Sequence, residues 1–106
     1  MRKPLRLDRE AEDEIEAGWR WYEERRPGLG AEFLAAVEEA LLRLEGPAVS
    51  FAVAGMPQTL GVRRVLMRRF PYSVVFVDLP AERRVLAVAH GRRRPGFWKD
   101  RLRRTE

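Results

Sequence analysis

The chain has 106 residues, no cysteine, 45% hydrophobic residues and a net charge of +5. A chain of this length typically forms one domain around one core, so we expect residues 1–106 to fold as a unit. The lack of cysteine excludes disulfides and thiolate metal sites. No apolar run reaches the ~18 residues of a membrane span, and the N-terminus has no apolar signal region. We therefore expect a cytoplasmic protein that binds neither a membrane nor a cofactor.

Charge is divided unevenly along the chain. Residues 1–46 carry 12 acidic and 8 basic side chains, a net of −4, whereas residues 47–106 carry 4 acidic and 13 basic side chains, a net of +9. Of the 21 basic residues, 19 are arginine, a bias that genomic base composition alone can produce, but this bias does not explain the segregation. A basic half of this kind favours binding to nucleic acid or to an acidic protein segment.

Residues 4–7 are predicted to form a short first strand that ends at Asp8. Asp8 is a good helix N-cap, because its carboxylate can accept a hydrogen bond from a free amide of the next turn. The helix that follows has an apolar stripe formed by Ala11, Ile15, Trp19 and Tyr22. Trp21 lies off this stripe, and we expect it to widen the buried face, with partner binding as the alternative. The acidic side chains scatter around the helix, which predicts a solvated face and no metal site.

Pro27, Gly28 and Gly30 break this helix. A second helix has an apolar stripe formed by Leu29, Phe33, Val37, Leu41 and Leu44, and Gly46 with Pro47 marks its end. So short a connection predicts that the two helices pack antiparallel, as a helical hairpin over residues 8–46.

Residues 47–59 contain two prolines and one glycine but are too apolar for a disordered linker. They predict a loop whose Phe51 and Val53 pack onto the body of the protein.

Three strands follow in the sequence, predicted at Leu60–Arg69, Tyr72–Leu79 and Arg83–Gly91. They predict an antiparallel meander over residues 60–91, followed by a basic tail over residues 92–106. The expected fold class is α+β, with the N-terminal strand and the antiparallel helical hairpin packed on a small antiparallel β-sheet.

Alternation along the last predicted strand decides which residues share a face. It places Leu86, Val88 and His90 on one face, and Val85, Ala87 and Ala89 on the other. Both faces are largely apolar, so we expect this strand to be central and covered on both sides. In the first long strand both faces mix arginine with apolar residues, which predicts a strand that borders a groove.

Four segments in this order resemble the RelE/ParE family of bacterial type II toxins. They are WYEERRPGLGAEFL (21–34), GVRR (61–64), RRFPY (68–72) and LAVAHGRRRPGFW (86–98). The resemblance extends over nearly the whole chain, from Leu7 to Trp98. It implies two N-terminal helices packed on an antiparallel sheet, and a cognate antitoxin whose acidic or amphipathic C-terminal segment wraps the toxin in a hetero-oligomer.

The resemblance implies one of two activities. RelE-like members cut messenger RNA on the ribosome, and ParE-like members inhibit DNA gyrase without cleaving anything themselves. RNA cleavage requires a base, cations for the phosphorane charge and an acid for the leaving oxygen, roles for which the candidates are Arg64, Arg68, His90 and Arg92. Candidates for binding nucleic acid or another target are Arg63, Arg69, Arg93, Arg94 and Trp98. Histidine is suited to acid–base chemistry near neutral pH, and Phe97 with Trp98 could stack on a base.

Each candidate also has a structural interpretation. His90 could be a half-buried residue that bonds a backbone carbonyl, and residues 92–94 could bind the carboxylates of the antitoxin. Trp98 could seal the tail against the sheet, and Arg63 could pair with the helical half. The chain has only two lysines, Lys3 and Lys99, unlike the lysine-rich surface of the ribosome-dependent members. This departure favours a ParE-like toxin, with an mRNA endoribonuclease and a non-toxic, antitoxin-binding protein as alternatives.

Overall fold

A computed structural model describes residues 3–46, 50–53, 56–57 and 60–104. In chain order the elements are β1 (Leu5–Leu7), α1 (Arg9–Arg25), α2 (Leu29–Glu45), β2 (Phe51–Ala52), β3 (Val62–Leu66), β4 (Tyr72–Asp78), β5 (Arg83–His90) and a 3-10 helix (Lys99–Arg103). The expected order of strand, two helices and meander is confirmed. The predicted loop over residues 47–59 and the predicted tail over residues 92–106 each lie partly outside the described residues, as does the stop signal at Pro47.

The five strands form one sheet in the order β1-β5-β4-β3-β2. β1 runs parallel to β5, with Leu5 opposite Arg83, and the other neighbours are antiparallel. The expectation of an antiparallel sheet is therefore wrong at one edge, because the helical hairpin carries the chain away from β1 and the last strand returns beside it. β2 was expected to be loop, and two residues are too short a strand to leave a periodic signal.

Glu23 organises the connection between the two helices. Its carboxylate accepts hydrogen bonds from the backbone N–H groups of Gly28 and Gly30, so a side chain of α1 satisfies free amides at the start of α2. Gly28 has a φ of 90°, a left-handed conformation that glycine adopts without strain. The hairpin predicted from the glycines and from Pro27 therefore forms.

The main core lies between the hairpin and one face of the sheet. Phe33 is fully buried at its centre and contacts the rings of Tyr22, Phe70 and Tyr72. Gly18 of α1 packs directly against it, since an added Cβ atom at Gly18 would lie 2.5 Å from Phe33 Cζ. The remaining buried members of this core are Ala11, Val37, Ala40, Leu44, Val65, Met67, Val74, Phe76, Val85 and Val88.

A second, smaller core covers the opposite face of the sheet. Trp98 is 4% exposed and packs there with Phe97 and Leu102 from the C-terminal segment. The buried sheet residues beneath them are Val62, Val75, Val77, Leu86 and Ala87. β5 is therefore covered on both sides, as expected.

A β-bulge changes the predicted faces of β5. The register passes from Ala87 opposite Val75 to Val85 opposite Phe76, which leaves Leu86 as an extra residue. As a result Leu86 and Ala87 both belong to the second core, while Val85 and Val88 belong to the first. The prediction that Leu86 shares a face with Val88 is wrong, because strict alternation does not survive a bulge.

Three local expectations are also wrong. Asp8 occupies the N-cap position of α1 but makes no side-chain capping bond, because its carboxylate is held by Arg84. Trp21 is 49% exposed instead of buried, and Phe51 in β2 is 47% exposed. Val53, by contrast, packs against the second core as predicted. Within the described residues, none of the helices is long and apolar enough to span a membrane.

Candidate functional site

Part of the positive charge is used to hold the C-terminal segment against the sheet. Arg84 donates to both carboxylate oxygens of Asp8 and to the backbone carbonyls of Arg101 and Arg104. Arg101 in turn pairs with Glu14 of α1 at 2.9 Å and donates to the carbonyl of Leu86. Glu14 is thus only 15% exposed, and the expectation of a uniformly solvated acidic face on the first helix is wrong at this position.

A second group of arginines pairs with α2. Arg68 lies 3.5 Å from the Glu39 carboxylate, and Arg69 pairs with Glu32. The hydrogen bond from Arg69 lowers the pKa of the Glu32 carboxyl below its ordinary value. These contacts turn both arginines towards the helices, so the structure does not bring the catalytic candidate Arg68 together with His90.

The cationic hollow is a depression of about 280 Å³ on the sheet face that bears the second core. Its charged or titratable lining residues are Arg64, His90, Arg93, Arg94 and Lys99. The apolar part of its lining includes Val53, Val75, Ala89, Pro95, Phe97 and Trp98. No carboxylate is among the described residues that line it, so the hollow is positive throughout and suited to anions.

The cations of this hollow are available to a ligand. In the described part of the chain, Arg64, Arg93, Arg94 and Lys99 form no ion pair. The Arg93 guanidinium lies over the Phe97 ring at 3.8 Å from its centroid, and Arg64 lies 6.0 Å from the Phe51 ring. These contacts orient the two side chains without neutralising them.

His90 sits at the end of β5 and lines the hollow at its edge. Its Nδ1 accepts a hydrogen bond of 3.0 Å from the backbone N–H of Arg92, and its ring contacts Tyr72 edge-on at 5.1 Å between centroids. Because Nδ1 accepts this hydrogen bond, the neutral ring carries its own proton on Nε2. Nε2–H is therefore the group through which the neutral ring can donate a hydrogen bond.

The remaining predicted site residues are dispersed. The Arg92 side chain is exposed and does not line the hollow, although its backbone orients His90. Arg63 donates to the hydroxyl and carbonyl of Ser50 instead of pairing with the helical half. Trp98 is buried in the second core, where it seals the tail against the sheet and has no ring face free to stack on a base.

The aromatic hollow, of about 350 Å³, adjoins the cationic one on the helix side. It is lined by Glu14, Ala17, Gly18, Trp21, Tyr22, Tyr72, Val88, His90 and Arg93, so His90 and Arg93 form a wall shared by both hollows. Sequence reasoning missed this site, because it assigned Trp21 to the core. The signal that could have found it is the position of Trp21 off the apolar stripe of its helix.

Tyr22 and Tyr72 both line the aromatic hollow. Burial raises the pKa of both phenols above the ordinary value of 10.0. The two neighbouring hydroxyls also act on each other, which partly offsets the rise in the pKa of Tyr22 and adds to the rise in the pKa of Tyr72. The hollow is thus largely apolar at neutral pH.

The two hollows can bind a ligand, but they contain few groups that could transfer a proton. Cations in the first can stabilise an anion or a developing negative charge. No carboxylate is among the described lining residues, which leaves His90 as the side chain there whose chemical type best suits acid–base work. No group of three or more potential metal ligands is present in the parts of the chain that the structure describes.

No protein-family model matches the sequence, and none of the curated proteins matches it either. Among solved structures, the chain is similar to one described as a chromosomal ParDE TA system from P. aeruginosa. The two share 21% identity, and the likeness covers 83% of this chain and 95% of that chain with a TM-score of 0.72. The fold is ParE-like. This ParE-like fold confirms the expected α+β architecture of two helices packed on a sheet.

Proposed function

We propose that the protein is the toxin of a type II toxin–antitoxin module, a cytoplasmic growth inhibitor that a cognate antitoxin neutralises in a hetero-oligomer. The observation that carries this proposal is the cationic hollow on a ParE-like fold. Four cations without ion-pair partners among the described residues form a surface suited to an acidic or anionic macromolecule. The ParDE likeness makes a toxin–antitoxin pair the natural setting for such a surface.

The favoured target is a protein such as DNA gyrase, bound without RNA cleavage. Cleavage would need a base and an acid around the scissile phosphate. Arg68 is directed to Glu39, the Arg92 side chain does not line the hollow, and Nδ1 of His90 is occupied. His90 alone would therefore have to act as both the base and the acid, which favours binding over catalysis.

The alternative is an mRNA endoribonuclease, and one observation favours it. Arg64 and His90, two of the four catalytic candidates, line the same hollow together with Arg93 and Arg94. In that case the 2′-hydroxyl would lose its proton to solvent as its oxygen bonds to phosphorus, the guanidinium groups would stabilise the phosphorane, and the imidazolium form of His90 would give a proton to the leaving oxygen.

Two assays separate these functions. Expression without an antitoxin in a bacterial host should arrest growth, and the purified protein should block gyrase supercoiling without the accumulation of mRNA fragments. His90→Ala should then remain toxic. Ordinary supercoiling at saturating protein, with fragmented mRNA and a harmless His90→Ala variant, would establish the nuclease instead. Normal growth on expression of the wild-type protein would contradict both.

A further inference from the structure

Residues 97–104, which we call the C-terminal strap, cover part of one face of the sheet. Trp98 of the strap is 4% exposed, and Phe97 and Leu102 pack beside it. These side chains lie on an apolar surface of the strands, whose buried members are Val62, Val75, Val77, Leu86 and Ala87. Removal of the strap would therefore expose an apolar surface of the sheet.

The strap is joined to the sheet by side chains and not by a ladder of backbone hydrogen bonds. Within the described residues, the backbone hydrogen bonds of the strap all end on carbonyls of residues 94–101, which lie in or next to the strap itself. The contact with β5 is made instead by the side chain of Arg84, which donates to the carbonyls of Arg101 and Arg104 at 2.7 and 3.2 Å. The strap can therefore leave the sheet without breaking any strand pairing.

Two ion pairs hold the strap to α1. Arg101 contacts the carboxylate of Glu14 at 2.9 Å, and Arg104 pairs with Glu10. The Glu10 side chain is 35% exposed, so water can take the place of Arg104. The Glu14 side chain is only 15% exposed, which makes its pair with Arg101 the stronger of the two restraints.

The buried charges under the strap keep partners when the strap leaves. Arg84 retains both of its 2.8 Å hydrogen bonds to the Asp8 carboxylate. Glu14 retains the backbone N–H of Val88, which donates to its carboxylate at 2.9 Å. A broken ion pair is most costly where it leaves a buried charge uncompensated, and detachment of the strap leaves neither of these two groups without a partner.

From these contacts we infer that the strap opens as a unit about Gly96, while the helices and the five-stranded sheet stay folded. Gly96 directly precedes the strap and has a φ of 78°, a left-handed conformation that glycine enters and leaves without strain. Local opening is favoured in a segment that has few buried apolar contacts and no ladder. Phe97, Trp98 and Lys99 line the cationic hollow, so the hollow is complete only while the strap is closed. The inference goes beyond the proposed function, because it holds whether or not the protein is a toxin.

Cysteine labelling separates strap opening from global unfolding, because the chain has no cysteine of its own. Ala87→Cys places a thiol beneath the strap and Ala40→Cys places one in the main core, and both positions are 0% exposed. The full-length variants are labelled with methyl methanethiosulfonate, a neutral reagent, at concentrations where reclosing is faster than labelling, and mass spectrometry measures the rates. We expect the thiol at position 87 to react about 100-fold or more faster than the thiol at position 40. Val77→Cys, also beneath the strap, gives the same readout if Ala87→Cys does not fold.

A substitution in each cysteine variant tests whether the ion pair with α1 restrains the strap. Glu14→Gln removes the charge that pairs with Arg101 but keeps an oxygen that can accept from the Val88 N–H. It should speed labelling at position 87 about tenfold or more. Labelling at position 40 should rise in the same proportion, because global unfolding also releases the strap. Glu16→Gln, which loses only an exposed pair with Arg20, should change neither rate by more than about threefold.

Phe33→Leu distinguishes the two kinds of opening. Phe33 is buried in the main core, which strap opening leaves intact, so this substitution should speed labelling at position 40 and leave the rate at position 87 unchanged. Acceleration by the same factor at both positions would show that the strap leaves only when the whole protein unfolds, and would overturn the inference. Equal labelling rates at positions 87 and 40 without further substitution would also overturn it, as would a rate at position 87 that Glu14→Gln does not change.

Discussion

Asp8 and Arg84 form a bidentate ion pair in the interior, with Nε to Oδ1 and Nη2 to Oδ2 each at 2.8 Å. The side chains are 0% and 8% exposed. The pair joins the start of α1 to β5, and Arg84 also holds the carbonyls of Arg101 and Arg104. One ion pair thus connects the beginning, the sheet and the end of the fold.

Loss of this pair should be strongly destabilising. Asp8→Ala leaves the Arg84 charge buried without its carboxylate, and we expect a loss of about 3–5 kcal/mol in the free energy of unfolding. The matched control is Glu16→Ala, which breaks the exposed pair with Arg20 and should cost less than about 1 kcal/mol. Urea denaturation measures both, and equal losses would contradict the structural role of the buried pair.

Gly18 should not tolerate alanine. In an ordinary helix interior, glycine to alanine gains about 0.5–1 kcal/mol. Here the added Cβ would lie 2.5 Å from the fully buried Phe33 ring, so Gly18→Ala should instead destabilise by about 1–3 kcal/mol. The double variant Gly18→Ala with Phe33→Leu should lose less stability than the sum of the losses of the two single variants, because the smaller side chain at position 33 removes the clash. Stabilisation by Gly18→Ala alone would show that the two helices are not in this close contact.

Acid should weaken the fold through three carboxylates. The Arg104 hydrogen bond lowers the pKa of Glu10 from 4.5 to about 2, Arg69 lowers that of Glu32, and Lys3 lowers that of Asp78. A carboxylate whose pKa is depressed by folding stabilises the native state above its unfolded pKa and loses that contribution as the pH falls through the folded value. We therefore expect stability to decline from about pH 4.5 towards pH 2.

Urea denaturation across this pH range measures the decline. High salt should reduce it, because these groups are near the surface and their ion pairs are screened. Glu10→Gln should flatten part of the slope. A stability that is constant between pH 5 and pH 2, in wild type and variant alike, would contradict the ion pairs.

The two tyrosines should ionise at a higher pH in the native protein than in the unfolded protein. The chain has two tyrosines, and its tryptophans do not ionise in this pH range, so the rise in absorbance at 295 nm on titration reports Tyr22 and Tyr72. Burial raises both pKa values above 10.0, and their contribution to stability is therefore complete below pH 10 and lost as the pH rises through the folded values. The native protein should titrate at higher pH than the same protein in urea. Superimposed curves would mean that both phenols are solvent-exposed.

Local patterns predicted the helical hairpin and the three main strands, because stripes and breakers act over a few residues. The parallel edge at β1 and the two-residue β2 escaped prediction, since each depends on where distant segments meet. The bulge at Leu86 made the prediction of shared faces along β5 wrong, and nothing in the local sequence indicated that a bulge would form there. The expectation that Trp21 is buried was wrong, because an aromatic residue next to the apolar stripe of a helix can equally line an open hollow.

The candidate site was predicted only in part. The sequence offered Arg64 and His90 as catalytic candidates and Arg93 and Arg94 as binding candidates, and the structure brings these four residues to one hollow. The sequence could not distinguish these four residues from Arg68 and Arg69, because tertiary contacts decide that Arg68 pairs with Glu39 and Arg69 with Glu32. Arginines that are alike in sequence therefore divide into those that form ion pairs within the fold and those that form none among the described residues.

The central claim is that the cations of the cationic hollow, which form no ion pair with any described residue, act on a cellular target. Growth arrest on expression without an antitoxin tests this claim most directly. Wild-type protein should arrest growth, Arg64→Gln with Arg94→Gln should relieve the arrest, and the equally charged control Arg9→Gln with Arg103→Gln should still arrest. Expression levels and urea denaturation of the purified variants confirm that all three proteins are folded. Arrest by the hollow variant at the wild-type level would contradict the account.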